Sequence, residues 1–160
     1  MISLKRKESG FTIVELLIVI VIIGILAALV IMTFSNTQKK ARDADRKNDL
    51  TGISKQLEVY YADANQYPTL LQINDRAQNG FIETSMKDLK SDLTKAPGSA
   101  DDATGDDLVA SGAAISNYQY EVTNDAGTAC DNVGTNLCSR YTLTATLENG
   151  DPVVITSANN

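Results

Sequence analysis

The sequence predicts an α+β protein: a long amino-terminal helix, membrane-spanning in its first half and amphipathic in its second, packed on a small antiparallel sheet of three or four strands. Three observations carry this. An apolar run extends from Phe11 to Phe34. Beyond it a helical pattern continues without proline until Pro68. The last third of the chain then alternates apolar and polar residues with a period of two. The expected boundaries are a basic leader at 1–10, a spanning helix at 11–35, its amphipathic continuation at 36–66, and a head at 67–160.

At about 1.5 Å per residue the apolar run is roughly 36 Å long, enough to cross a hydrocarbon core of about 30 Å. Lys5, Arg6 and Lys7 precede it. A secretory signal has a shorter apolar core with a small-residue cleavage site on its far side. Here Ala27-Ala28 lie inside the run and no polar segment follows them, so the helix is expected to be retained. Lys39, Lys40 and Arg42 flank the other end, so charge asymmetry alone does not set the orientation. Glu15 is foreign to the run. An ionised carboxylate near the centre of a helix in lipid costs on the order of 3 kcal/mol, which makes it a functional candidate. The competing reading is that Glu15, close to the start, reaches back to the interface at little cost.

Nothing from Thr12 to about Asn65 forces a break in the helix, although Gly24 and Gly52 each cost about 1 kcal/mol relative to alanine. Leu50, Ile53, Leu57, Tyr60 or Tyr61, and Ala64 recur at steps of three and four, an apolar stripe expected to face a core. Asp43, Asp45, Lys47, Asp49 and Lys55 are expected to face water or neighbouring molecules. Tyr67-Pro68 should end the helix, because proline disfavours the helical conformation at the residue before it.

Residues 68–112 read as loop-rich, with one short helix across about Glu83 to Lys90 pinned by Phe81, Ile82, Met86, Leu89 and Leu93. Pro97-Gly98 and the stretch to Gly112 read as exposed loop. Farther on, Tyr118, Tyr120 and Val122 alternate with Gln119 and Glu121, and Tyr141, Leu143, Ala145 and Leu147 alternate with threonines. Asn149-Gly150 is a two-residue hairpin signal leading into Val153-Val154-Ile155. The apolar face of these strands should meet the stripe of the long helix. Packing there accounts for the six tyrosines more economically than a ligand platform does.

The net charge of −6 is unevenly placed: five basic residues crowd positions 39 to 47, whereas sixteen acidic and six basic residues follow from 48 onward. An acidic head repels phosphate backbones, so nucleic acid is not an expected partner. Histidine is absent, which removes Ser-His-Asp and Cys-His catalysis and His-ligated metal sites. Cys130 and Cys138 sit in a polar loop, too few for a zinc cluster. A disulfide between them implies an oxidising, non-cytoplasmic compartment; two free buried thiols are the alternative.

A basic leader ending in Gly10, then Phe11-Thr12 and Glu15, then the apolar run and an amphipathic helix, resembles the type IV pilins and the pseudopilins of type II secretion. The resemblance implies that a membrane-embedded prepilin peptidase cuts after Gly10 and methylates the new amino terminus at Phe11. It implies that Glu15 is the family's assembly glutamate. It also implies identical subunits, an assembly platform and a motor ATPase as partners, the cytoplasmic membrane as the site before assembly, and a surface filament afterwards. The resemblance departs at Met32, where many pilins carry a proline. Some pseudopilins bind calcium in their heads, and Asp101, Asp102, Asp106 and Asp107 are the candidate ligands here. Their spacing fits no EF-hand, so a solvated acidic loop and no cofactor is the expectation.

A helix that is apolar all round must be surrounded by lipid or by other such helices. The expected function is therefore a structural one, a pilin subunit whose helices bundle into a filament core. The segment from Lys40 to Arg46, Leu57 to Tyr61 and Tyr67-Pro68-Thr69 is similar to major pseudopilins of type II secretion or DNA uptake, whereas the cysteine-closed loop is more like pilins, and the pilus is favoured. A single-pass anchored binding module is the distant alternative. No nucleophile–base pair, phosphate loop or metal cluster points to an enzyme.

Overall fold

The computed structural model describes residues 10–98, 108–110, 112 and 116–159. Lys5, Arg6 and Lys7 of the leader, and Asp101, Asp102, Asp106 and Asp107, lie outside the described residues. The chain forms two compact units, Met1–Gln38 and Lys39–Asn160, with the boundary inside one helix, α1 (Ile13–Ala64).

In the first unit α1 is a helix of apolar side chains with nothing packed on it. Exposure runs from 87% at Ile13 to 47% at Val19, and Leu16, Leu17, Ile22 and Ile25 lie between these values. Its backbone is satisfied within the helix, the property a segment needs in hydrocarbon. By length and composition this is a helix able to cross a membrane.

In the second unit one face of α1 is covered. Leu50, Ile53 and Leu57 are fully buried, Tyr60 and Tyr61 pack at the margin, and Ala64 is exposed. The covered stripe also runs the other way, through Arg46 and Asp43 at the same three- and four-residue steps. Asp43, expected to face water, is buried, and Asp49 is half-covered where its carboxylate accepts the Tyr118 hydroxyl at 2.7 Å. Asp45, Lys47 and Lys55 are exposed. Gly52 lets Leu93 pack closely on the helix: a Cβ there would stand 3.0 Å from Cδ2 of Leu93. The helix stops before Tyr67, at Asn65, whose left-handed φ of 54° closes the last turn with its N–H on the Tyr61 carbonyl.

Three short helices follow in place of the single one expected across Glu83 to Lys90: α2 (Leu70–Ile73), α3 (Phe81–Ser85) and α4 (Ser91–Thr94). Thr69 and Gln72 cap the start of α2 reciprocally. Asp75 starts α3 early by accepting the Phe81 N–H at 2.9 Å. Met86 then leaves helical geometry, and both it and Leu89 turn into the core. Sequence periodicity merged these turns because their apolar residues share one destination.

The sheet has the order β1-β2-β3-β4, with β1 (Leu108–Val109), β2 (Tyr118–Thr123), β3 (Arg140–Ala145) and β4 (Val153–Thr156). The pairs β2–β3 and β3–β4 are antiparallel, but β1 runs parallel to β2, so the sheet is mixed. Leu108 is buried, and its carbonyl accepts the Asn74 side chain at 3.0 Å, which holds β1 against the end of α2. The apolar face of β2 and β3 closes over the α1 stripe with Tyr118, Tyr120, Tyr141, Leu143 and Ala145. Asn149-Gly150 lies in the β3–β4 connection but not as a tight hairpin: pairing ends at Ala145–Val153 and the loop occupies residues 146–152.

Tyrosines form a connected group within this interface. Tyr61 stacks on Tyr67 with centroids 4.5 Å apart, and Tyr67 meets Tyr141 edge-on at 4.8 Å. Their hydroxyls converge on one carboxylate, since Tyr67 and Tyr141 donate to the two oxygens of Glu58 at 3.0 and 3.1 Å. Burial, partly offset by Ser54 and reinforced by Glu58, pushes the Tyr141 hydroxyl up to about 12.

Candidate functional site

The amino-terminal motif forms a closed local device. Thr12 is the residue before the first turn of α1, and Glu15 is the third residue of that turn. The Glu15 carboxylate accepts the Thr12 backbone N–H at 2.9 Å and the Thr12 hydroxyl at 2.7 Å. In return the Thr12 hydroxyl accepts the Glu15 N–H at 3.2 Å. This is a capping box, and it places the carboxylate at the positive end of the helix dipole. Sequence reading treated Glu15 as a charge in search of a partner and missed this one, although T-x-x-E ahead of an apolar run is its signature. Gly10 is exposed in non-helical backbone just ahead of the turn, and Phe11 is 81% exposed. Among the described residues no side chain packs over the peptide bond between them. Glu15 remains exposed despite its bonds to Thr12.

A second cluster ties the β3–β4 loop to α1. The Asp43 carboxylate accepts the backbone N–H groups of Glu148 and Asn149 at 2.8 and 2.9 Å. Arg46, almost wholly buried, bridges Asp43 at 3.1 Å and Glu148 at 3.2 Å, and donates to the Pro97 carbonyl at 2.9 Å. Arg42 grips Glu148 with Nε and Nη2 at 2.5 and 2.7 Å. These donors fit the missing tight turn: Asp43 takes the Glu148 N–H that a two-residue Asn149-Gly150 hairpin would have donated across the turn to Asp151.

The electrostatics follow from the contacts. Hydrogen bonds from Arg42, helped by Arg46 and opposed by desolvation, hold the Glu148 carboxyl at about 2. Desolvation pushes Asp43 upward, but the two loop amides, the Asn149 side chain and the Arg46 charge outweigh it, leaving its pKa below the ordinary value. The sequence signal for this cluster was present, because Asp43 and Arg46 continue the spacing of Leu50, Ile53 and Leu57. Their charge hid it.

Cys130 and Cys138 are joined in a disulfide with Cα atoms 5.3 Å apart. Within that loop Asn132, at a left-handed φ of 59°, donates its side chain to the Tyr67 carbonyl at 2.9 Å and accepts the Cys138 N–H at 2.8 Å. The Tyr67 N–H returns to the Cys138 carbonyl at 2.7 Å. The loop is thus fastened to the segment that follows α1. Among the described residues no group of three or more His, Cys, Asp or Glu side chains is arranged to hold a metal ion.

Comparison with known proteins agrees with this picture. Residues 5–31 match the model of the prokaryotic N-terminal methylation motif. The type II secretion system core protein G of Aeromonas hydrophila is 40% identical over 75 residues, 47% of this chain and 52% of that protein. The proteins of the same name from Dickeya chrysanthemi and Pseudomonas aeruginosa are 36% and 38% identical over 69 and 68 residues, covering 43% and 42% of this chain and 45% and 48% of theirs. The chain spans about half the length of the curated relatives it matches. No solved structure matches it. Its methylation motif, the apolar helix behind it and these relatives make the amino-terminal half of the chain similar to the type IV pilins and pseudopilins.

Proposed function

We propose that this chain is a structural subunit of a pseudopilus, assembled from the cytoplasmic membrane by prepilin peptidase, an assembly platform and a motor ATPase. The observation that carries the filament reading is the unpacked apolar half of α1, which requires lipid before assembly and other copies of itself afterwards. The family is structural, not enzymatic. Between the two filaments, the pilus favoured by the cysteine loop is less well supported than the pseudopilus, because the relatives are named as core protein G of type II secretion.

In this reading the peptidase cuts the Gly10–Phe11 bond and methylates Phe11. Cleavage leaves Phe11 with an ammonium group beside the capping box. Within a filament, the Glu15 carboxylate of one subunit meets the Phe11 ammonium of the next in a core without water. Such a pair adds little net stability, but a neighbour misplaced by one turn strands both charges, so the pair sets register.

The test is a strain lacking this chain, scored for surface fibres by electron microscopy and for protein secretion across the envelope. Loss of secretion with surface fibres intact is expected. Loss of surface fibres with normal secretion overturns the pseudopilus in favour of a pilus.

A further inference from the structure

We propose that Asn149 is a site of spontaneous deamidation whose product loosens the attachment of the β3–β4 loop to α1. The chain holds two Asn-Gly pairs, Asn79-Gly80 and Asn149-Gly150. In such a pair the glycine backbone nitrogen loses its proton and attacks the asparagine side-chain carbonyl carbon. A C–N bond forms, the C–NH2 bond breaks, and ammonia leaves. Water then opens the resulting succinimide at either carbonyl, giving aspartate or isoaspartate. The net change is asparagine plus water to an acid plus ammonia, and no other reactant is needed.

The structure treats the two pairs differently. The Gly80 N–H donates to the Ala77 carbonyl at 2.7 Å, and Asp75 crowds the Gly80 Cα so closely that a Cβ would lie 2.5 Å from its carboxylate. The attacking nitrogen there is occupied and its backbone cannot swing. Gly80 also opens α3, so moving it unwinds a helix. Gly150 is the opposite case. It is exposed, has a φ of 108°, and has no atom within 4 Å of where a Cβ would stand. Among the described residues its N–H has no hydrogen-bond acceptor. Asn149 is exposed too, and among the described residues the one hold on its side chain is a 3.3 Å bond to Asp43.

The product falls on the charge cluster. At position 149 a donor amide facing the Asp43 carboxylate becomes a second carboxylate, beside Glu148 as well. Like charges replace a hydrogen bond, and the isoaspartate form adds a methylene to the backbone between the Asn149 and Gly150 nitrogens, directly after the two amides that Asp43 holds. Both changes act against the Glu148 and Asn149 N–H bonds that fasten the loop.

The full chain in detergent, incubated at mildly alkaline pH in heavy-oxygen water and digested, tests this. Label should enter the peptide holding Asn149 roughly tenfold faster than the one holding Asn79, the rate equivalent of about 1.4 kcal/mol. In denaturant the two should react at comparable rates. Both aspartate and isoaspartate should form at 149; aspartate alone would mean direct hydrolysis and overturn the succinimide route. Equal labelling in the folded chain, or Asn79 first, overturns the site. Hydrogen exchange across residues 146–152, in aged wild-type protein and in Asn149→Asp, should be severalfold faster than in fresh protein. Unchanged exchange in both overturns the proposed loosening.

Discussion

Thr12 and Glu15 hold each other in both directions, hydroxyl to amide and carboxylate to amide, at the first turn of α1. The glutamate at the head of the apolar run thus has donors within its own chain. Glu15→Ala should still insert and be cleaved, yet give few or no filaments, with Glu15→Asp intermediate. Thr12→Val, which removes the hydroxyl but keeps the carboxylate, should fray the first turn at a cost of about 1 kcal/mol and reduce filament yield less than Glu15→Ala. Membrane-bound and sheared-fibre pools of the three variants provide the comparison. Wild-type fibre yield from Glu15→Ala would reduce the residue to a helix cap.

Processing is tested by mass. The filament protein should begin at N-methylated Phe11, and Gly10→Val should keep the leader attached. An intact mass that includes Met1 to Gly10 in wild-type filaments counts against cleavage.

The loop cluster makes the second unit sensitive to acid. Glu148 is held at about 2 in the folded chain against an ordinary value of 4.5, and Asp43 is also lowered. A carboxylate depressed by folding contributes stability that is present above its unfolded pKa and disappears as pH falls through its folded one. Stability should thus decline from about pH 4.5 toward about pH 2. Asp49, raised by burial beside Tyr118, opposes this in part. Glu148→Gln should be less stable at neutral pH and show a flatter acid limb in denaturant titrations. An unchanged slope would mean that the cluster is not coupled to folding.

Tyr120 is buried with its hydroxyl on the Pro68 carbonyl at 2.7 Å. Tyr120→Phe keeps the ring and strands that carbonyl, so it should cost about 1–3 kcal/mol. Urea unfolding of the full chain in detergent measures the loss. A cost near zero would show that the carbonyl finds another donor.

Closing the loop between Cys130 and Cys138 should stabilise the head by roughly 2.5 kcal/mol in the chain-entropy model. The double Cys→Ser variant should unfold at lower denaturant concentration while inserting into membranes as wild type does. Free thiols in native, non-reduced protein would remove the basis for this expectation.

Much of the architecture was legible because each long element declares its environment. The run to Phe34, the Leu50–Ile53–Leu57 stripe and the alternation at Tyr118–Val122 and Tyr141–Leu147 each follow one period over enough residues to be read. What was not legible was decided by single contacts. Met86 breaks a helix that its neighbours' spacing favours, and β1 is two residues long, too short for alternation to show. Asp43 was misread because a carboxylate is buried only where donors converge, and its donors come from Glu148 and Asn149, more than a hundred residues away. At the amino terminus the cleavage motif was legible as a pattern. The bond between Thr12 and Glu15 was equally local and was overlooked in favour of a distant partner.

Among the described residues the two edge strands of the sheet are short: β1 offers two residues and β4 four. A long bare strand edge is a template on which another copy can extend the sheet. In the filament proposed above the heads would stand side by side, so any such template would be offered to neighbours continuously. Short edges would let copies of such a head stand close together without extending one another's sheets into amyloid.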